Sequence, residues 1–272
     1  VFDRFEGTFT SLAREGVLVT DQPVRLNLWR APMDNDRNIR IEWEKAGYNR
    51  MQTKVLECSM EKETDGRGAV CKAQITVRLQ LVASWVQPIF AGRVIWSVRG
   101  DGSIRVRVEG DRETAMPFLP RFGLRLFLPK EFDRTRYLGY GPMESYCDKH
   151  QAARFGKFGA SCQELYEPYL KPQENGSRWG CGYVELSGGD GRWLRASAVG
   201  NGFSFNASRY SQEELTRKGH CYELEKSPYT ILCLDGAMSG CGSNSCGPRL
   251  ARRYQVKEKH LEMEFLLEMG AR

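Results

Sequence analysis

The sequence predicts an all-β protein built of antiparallel sheets with a few short helices. Apolar residues recur at every second position over long runs, Gly and Pro punctuate those runs, and helix-period signals are scarce. Strict alternation places every apolar side chain on one face of a strand, the pattern of a half-buried antiparallel sheet.

The elements follow in chain order. Leu28 to Ala31 reads as the end of a strand, because Pro32 cannot continue a ladder. Asp34-Asn35-Asp36 then bonds its own backbone in a tight turn, a reading favoured over oxygen ligation of a cation. Ile41 to Ala46 is compatible with one short helical turn. Ile75, Val77, Leu79 and Leu81 alternate with polar residues, as do Val94, Trp96 and Val98, and then Ile104, Val106 and Val108. Between the last two runs, Arg99-Gly100-Asp101-Gly102-Ser103 predicts a β-hairpin with positive φ at both glycines. Ser211-Gln212-Glu213-Glu214 reads as a capping box opening a helix of about two turns that Gly219 ends. Leu261, Met263, Phe265 and Leu267 form a last strand. No helix longer than about three turns is expected. With no repeat, low-complexity tract or linker, residues 1–272 read as one domain.

Composition narrows the function classes. A hydrophobic fraction of 41% and a charged fraction of 27% are those of an ordinary soluble globular protein. No run of eighteen apolar residues is present, so no membrane partner is expected. The net charge of +6 is spread among alternating basic and acidic residues, which argues against a nucleic-acid partner. Nine cysteines at irregular spacing, none in Cys-x-x-Cys, predict reduced thiols and no zinc site. The first residues lack a charged-then-apolar leader, so the cytoplasm is the expected compartment. The chain opens on Val1 rather than Met, which points to a piece of a longer protein.

Four segments read as signatures. The first is Leu28-Trp29-Arg30-Ala31-Pro32-Met33-Asp34-Asn35-Asp36. The second runs from Leu138 to Asp148 and contains Gly141-Pro142-Met143-Glu144-Ser145-Tyr146. The third is Pro172-Gln173-Glu174-Asn175-Gly176-Ser177-Arg178. The fourth, Asp235 to Pro248, is bent by Gly236, Gly240, Gly242 and Gly247, and reads as an exposed loop of the kind that carries function. The second and third place a carboxylate among amides and hydroxyls, groups that bond sugar hydroxyls or pin a loop.

In order and spacing these segments, with Phe203 to Ser211 followed by Leu215, resemble the C-terminal domain of lacZ-type β-galactosidases of glycoside hydrolase family two. The resemblance runs from about Leu26 to about Glu268. It implies a β-supersandwich of the galactose mutarotase-like type. It implies a domain that packs on a catalytic barrel, in the same chain or in a separate large subunit. The barrel carries both catalytic glutamates of retaining hydrolysis, so this chain would hold no catalytic residue and be inactive alone. The Gly-rich loop would reach the acceptor side of a site for β-galactosides such as lactose, placing Ser243, Asn244 and Cys246 as substrate-binding residues. Cys246 stands where the family carries an aromatic Trp, and a thiol has no face for stacking on a sugar. Trp29, Arg30, Asp34, Asn35, Asp36, Glu144, Glu174, Asn175 and Arg178 would be the structural motif. The whole enzyme of the family commonly uses Mg and Na, with no metal or cofactor in this domain.

Other classes remain open at this stage. A stand-alone carbohydrate-binding module could use Trp29, Trp43, Trp85, Trp96, Trp179 or Trp193 as a platform, although Trp96 lies on an apolar strand face. A mutarotase needs a His acid and a Glu base. Only His150, His220 and His260 are present, without an Asn-His-Pro-like signature. A thiol enzyme on Cys241 or Cys246 has no base marked nearby. The loop from Ser239 to Pro248 is expected to be more mobile than its flanking strands, because Gly carries a large ordering entropy.

Overall fold

The computed structural model describes residues 1–271. Four short strands open the chain: β1 (Phe2–Asp3), β2 (Thr8–Phe9), β3 (Leu12–Arg14) and β4 (Val17–Thr20). There follow β5 (Arg25–Asn27), α1 (Ile39–Lys45), β6 (Gln52–Thr64), β7 (Val70–Val82), β8 (Phe90–Arg99), β9 (Ile104–Arg112) and β10 (Arg121–Pro129). Next come β11 (Arg134–Gly141), β12 (Arg154–Ser161), α2 (Cys162–Leu165), β13 (Arg178–Cys181), β14 (Tyr183–Ser187) and β15 (Arg192–Ala198). The chain ends with β16 (Phe203–Ser208), α3 (Gln212–Arg217), β17 (Tyr229–Met238) and β18 (His260–Ala271).

Two antiparallel sheets make the body. One has nine strands in the order β12-β11-β14-β15-β18-β9-β8-β7-β6, and the other has five in the order β13-β16-β17-β10-β5. Their inner faces meet through apolar side chains. Phe265 of the larger sheet lies 5.4 Å from Phe203 of the smaller, edge to face, and Tyr137 lies 5.1 Å from Phe205. One hydrophobic cluster fills the space between, joining Val106, Val108 and Leu267 to Leu124, Leu126 and Leu232. The protein is therefore an all-β sandwich with short helices.

The alternating runs become the expected strands. Ile75, Val77, Leu79 and Leu81 are all buried while Arg78 between them is exposed. The hairpin joins β8 to β9, with Val98 opposite Ile104. Only one of its glycines has positive φ: Gly102 at +81°, whose N–H donates to Arg99 O. The Asp101 carboxylate supplies the rest of the turn by accepting from Ser103 N–H and Oγ.

The helices differ in detail from the expectation. Helix α1 begins at Ile39, two residues before the expected start. Helix α3 is capped by Ser211 Oγ, which accepts from Glu214 N–H, but the reciprocal bond does not form. The Glu214 carboxylate is drawn instead to Glu225 N–H and Arg217. Gly219 does not end the helix; Lys218 does, in extended conformation, and Gly219 N–H donates to Glu223. A full capping box occurs in unmarked sequence, where Ser161 and Glu164 bond reciprocally and open α2. Its signal, Ser-Cys-Gln-Glu, was present but too brief to read beside two strands.

Within the larger sheet, Gly92 of β8 faces Gly110 of β9. A Cβ at Gly110 would stand 2.4 Å from Ala91 O and 2.5 Å from Gly92 Cα, and the Phe90 ring covers the gap. Backbone cannot yield as a side-chain tip can. Gly110→Ala is therefore expected to lower unfolding free energy by ~1–3 kcal/mol, the usual cost of overpacking. Urea denaturation followed by tryptophan fluorescence checks this, and an unchanged midpoint would refute it.

Candidate functional site

The four signature segments lie far apart in sequence, and the fold gathers them around one side of the Gly-rich loop. Arg30 is the centre of this arrangement. Its side chain is buried, and its Nε and one terminal nitrogen donate to both oxygens of Asp36 at 3.0 and 2.9 Å. Asp36 is held in turn by Met33 N–H at 3.0 Å. The terminal nitrogens of Arg30 also donate to Ser239 O at 2.6 Å and Gly240 O at 2.9 Å. Paired, bidentate geometry is what makes a buried guanidinium tolerable.

Two further side chains fasten the loop. Asn35 donates from Nδ2 to Gly242 O at 2.7 Å and accepts at Oδ1 from Ser245 N–H at 3.0 Å and Ser245 Oγ at 2.7 Å. The Asp148 carboxylate accepts from Cys241 N–H and Gly242 N–H, both at 2.8 Å. The first, second and fourth segments are thus joined by hydrogen bonds to loop backbone. Asp34 links the first to the third: its N–H donates to Gln173 Oε1 at 3.0 Å, and its carboxylate faces Gln173 and Lys171. Arg178 links the third to the second, donating to Gly176 O, to Pro142 O at 2.8 Å and to the Tyr137 hydroxyl.

Glu144 and Glu174 have opposite environments. Burial raises the Glu144 carboxyl, but Lys149, Tyr169 and Gly176 N–H all donate to it and hold it below the ordinary range. Burial also raises Glu174, and there it prevails over the opposing Arg121 and Arg30. Arg121 stands between two carboxylates, 3.2 Å from Glu174 and 3.2 Å from Asp235. Burial pushes Asp235 up to about 7 against the pull of Arg121. Asn175 is a local brace, accepting from Glu167 N–H and donating to Gln173 O. Trp29 is core, edge to face with Trp43 at 6.3 Å.

Some of these groups line an open cleft of about 500 Å³, among them Asp34, Asn35, Glu144, Asp148, Glu174 and Ser245. Its chemistry is that of hydrogen bonding to hydroxyls. Asp34, Asn35 and Asp36 turn to three different partners, and among the described residues no three His, Cys, Asp or Glu side chains converge to hold a metal.

The loop residues expected to bind substrate separate in space. Ser243 and Cys246 are exposed at the tip, where Ser243 O accepts from Cys246 and Gly247 N–H. Asn244 lines a different hollow of about 210 Å³, beside Phe118 and Leu250. Of the loop, Cys241, Gly242 and Ser245 line the cleft instead. Asp148, Lys149 and Tyr169 join the site without having been marked individually, and so do Arg121 and Asp235. Asp148 and Asp235 stood at the ends of quoted segments, and their acidity was the available signal.

Comparison with known proteins finds beta-galactosidase relatives along nearly the whole chain. A family model described as beta galactosidase small chain matches residues 1–267. A beta-galactosidase of Actinobacillus pleuropneumoniae is 39% identical over 97% of this chain, and one of Staphylococcus xylosus is 36% identical over 98%. The chain spans only 25% and 26% of those two proteins. A crystal structure of a TPR-domain containing protein from Parabacteroides distasonis superposes with a TM-score of 0.50 at 11% identity, covering 98% of this chain and 44% of that one. At that identity the likeness concerns the fold alone.

The Arg121 cluster yields a stability prediction. Arg121→Met leaves Glu174 and Asp235 buried without their cation, a loss of ~3–5 kcal/mol at pH 8. Both carboxyls are already raised by burial, so lowering the pH protonates them and neutralises the buried charge. The deficit relative to the parent should therefore shrink between pH 8 and pH 5. Guanidinium unfolding at the two pH values measures it, and an equal deficit at both would refute the assignment.

Proposed function

Because the chain belongs to the β-galactosidase small-chain family, we propose that it is the non-catalytic C-terminal domain of a larger glycoside hydrolase family two enzyme that cleaves terminal β-galactosides such as lactose. The observation that carries this reading is the match across residues 1–267 combined with a span of only a quarter of the curated relatives. The remaining length would supply the catalytic barrel, in the same polypeptide or as a separate large subunit.

The geometry supports a binding rather than a cleaving role. Retaining hydrolysis needs two carboxyl groups about 5 Å apart and free to act as nucleophile and acid/base. In the cleft each carboxylate is already engaged: Asp34 by Gln173 and Lys171, Glu144 by Lys149 and Tyr169, Glu174 by Arg121, and Asp148 by loop amides. What the chain offers is a loop of defined shape. Arg30, Asn35 and Asp148 hold residues 239–242 and Ser245, which leaves the tip around Ser243 and Cys246 exposed. Docked on a barrel, that tip would border the acceptor subsite. Nine free thiols suit a reducing compartment such as the cytoplasm.

The test is reconstitution. This chain alone should release no nitrophenol from an aryl galactoside, and activity should appear when the remaining polypeptide of the enzyme is added. Turnover that scales with this chain alone would overturn the reading. In the intact enzyme, Asn244→Ala and Cys246→Trp should alter KM for lactose more than kcat for the aryl galactoside, because the loop would contribute binding and not cleavage. If neither substrate's parameters change, the loop is purely structural.

A further inference from the structure

Behind the Tyr146–Asp148 segment lies a second concavity. Tyr146 and Asp148 line the cleft described above, whereas Cys147 lines an open groove of about 400 Å³. The groove runs between the ends of β16 and β17 and the start of β18, and the segment from Arg253 to Glu258 forms its far wall.

Trp179 forms the near wall and is half-buried. His150 stacks on it at 4.5 Å and 23°, and Tyr140 lies against it at 5.1 Å and 34°. The centroids of His150 and Tyr140 are only 5.4 Å apart. Rings on opposite faces of the indole would be separated by roughly the sum of the two stacking distances, so these two do not enclose it between them, and the indole also lines the groove. The indole N–H has no acceptor among the described residues, unlike those of Trp43 and Trp96, which donate to backbone oxygens. Across the groove stands Tyr254, half-buried, with the exposed Arg253 guanidinium 4.9 Å from its ring centroid. The exposed carboxylates of Glu258 and Glu262 lie along the same groove.

We propose that this groove binds a neutral saccharide, with one pyranose ring stacked on the Trp179 indole. A pyranose ring presents an apolar C–H face and a rim of hydroxyls. The electron-rich face of an indole attracts C–H groups, and the carboxylates accept from the rim while Arg253 and the indole N–H donate to it. The charge balance selects against other ligands. Glu258 offsets Arg253, Glu262 is paired with Arg107 at 3.0 Å and His260 is taken up by Asp111 at 2.8 Å, so no excess positive charge invites a phosphate or a nucleic acid. The groove is open, and it suits part of an oligosaccharide rather than an enclosed monosaccharide.

This inference does not rest on the galactosidase reading, since reconstitution can fail while the groove still binds. The experiment is saturation-transfer NMR on the 272-residue protein with lactose, β-1,4-galactotriose and cellotriose at millimolar concentrations. At least one should bind, and Trp179→Ala and Tyr254→Ala should each weaken it at least tenfold. Trp179→Phe, which keeps a ring, should restore part of the loss. Trp85→Ala removes a fully exposed indole outside the groove and should change nothing. Near-ultraviolet circular dichroism confirms that each variant is folded. Binding unaffected by either Trp179→Ala or Tyr254→Ala, binding lost equally in Trp85→Ala, or no binding of any of the three sugars would overturn the proposal.

Discussion

The bidentate pairing of Arg30 with Asp36 is the constraint on which the site depends. A guanidinium removed from water must have its charge and its donors answered, or it forces the structure open. Asp36 answers the charge with two oxygens, and the remaining donors turn to the carbonyls of Ser239 and Gly240. One residue near the start of the chain therefore fixes where the loop near its end departs from β17. Asn35 and Asp148 then set the path of the loop from Cys241 to Ser245. The glycines make the bends sterically possible, and these polar side chains select one path among them.

Beneath the loop lies a second polar cluster of different character. Arg121 shares its single charge between Glu174 and Asp235 inside the sandwich, where apolar residues would pack at less cost. Asp235 belongs to β17, Arg121 to β10, and Glu174 to the segment whose N–H donates to Ala31 O. The cluster therefore ties the smaller sheet to the segment that carries Arg30. A shift in this buried charge would reach the cleft through Glu174, which lines it.

The two concavities differ in a way that follows from their walls. Most groups that line the cleft are already bonded to one another, the buried Tyr146 hydroxyl excepted, so most of its geometry is set before any ligand arrives. In the groove, the indole N–H of Trp179 has no acceptor among the described residues. The first is suited to presenting a shaped surface to a larger body, the second to receiving a ring.

Much of the fold was legible because alternation is local. Burial on one face requires a period of two, and the runs at Ile75–Leu81, Val94–Val98 and Leu261–Leu267 needed no knowledge of their neighbours. The four signature segments were legible as a family pattern. Tertiary structure decided which residues of those segments meet. Asn35 finds Ser245 across 210 positions, and no spacing rule relates residues so distant. The same applies to adjacent loop residues: Ser245 reaches the cleft while Asn244 lines the hollow with Phe118 and Leu250. The reciprocal capping bond at Ser211 was lost because Glu214 was drawn to Arg217 and to the backbone of Glu225, beyond the helix, and Gly219 lost its expected role because Lys218 already leaves the helical conformation. The sequence alone thus determined the β architecture, since hydrophobic periodicity acts within a strand. Only the folded chain decided the site, since its hydrogen bonds join segments that the packing of two sheets brings together.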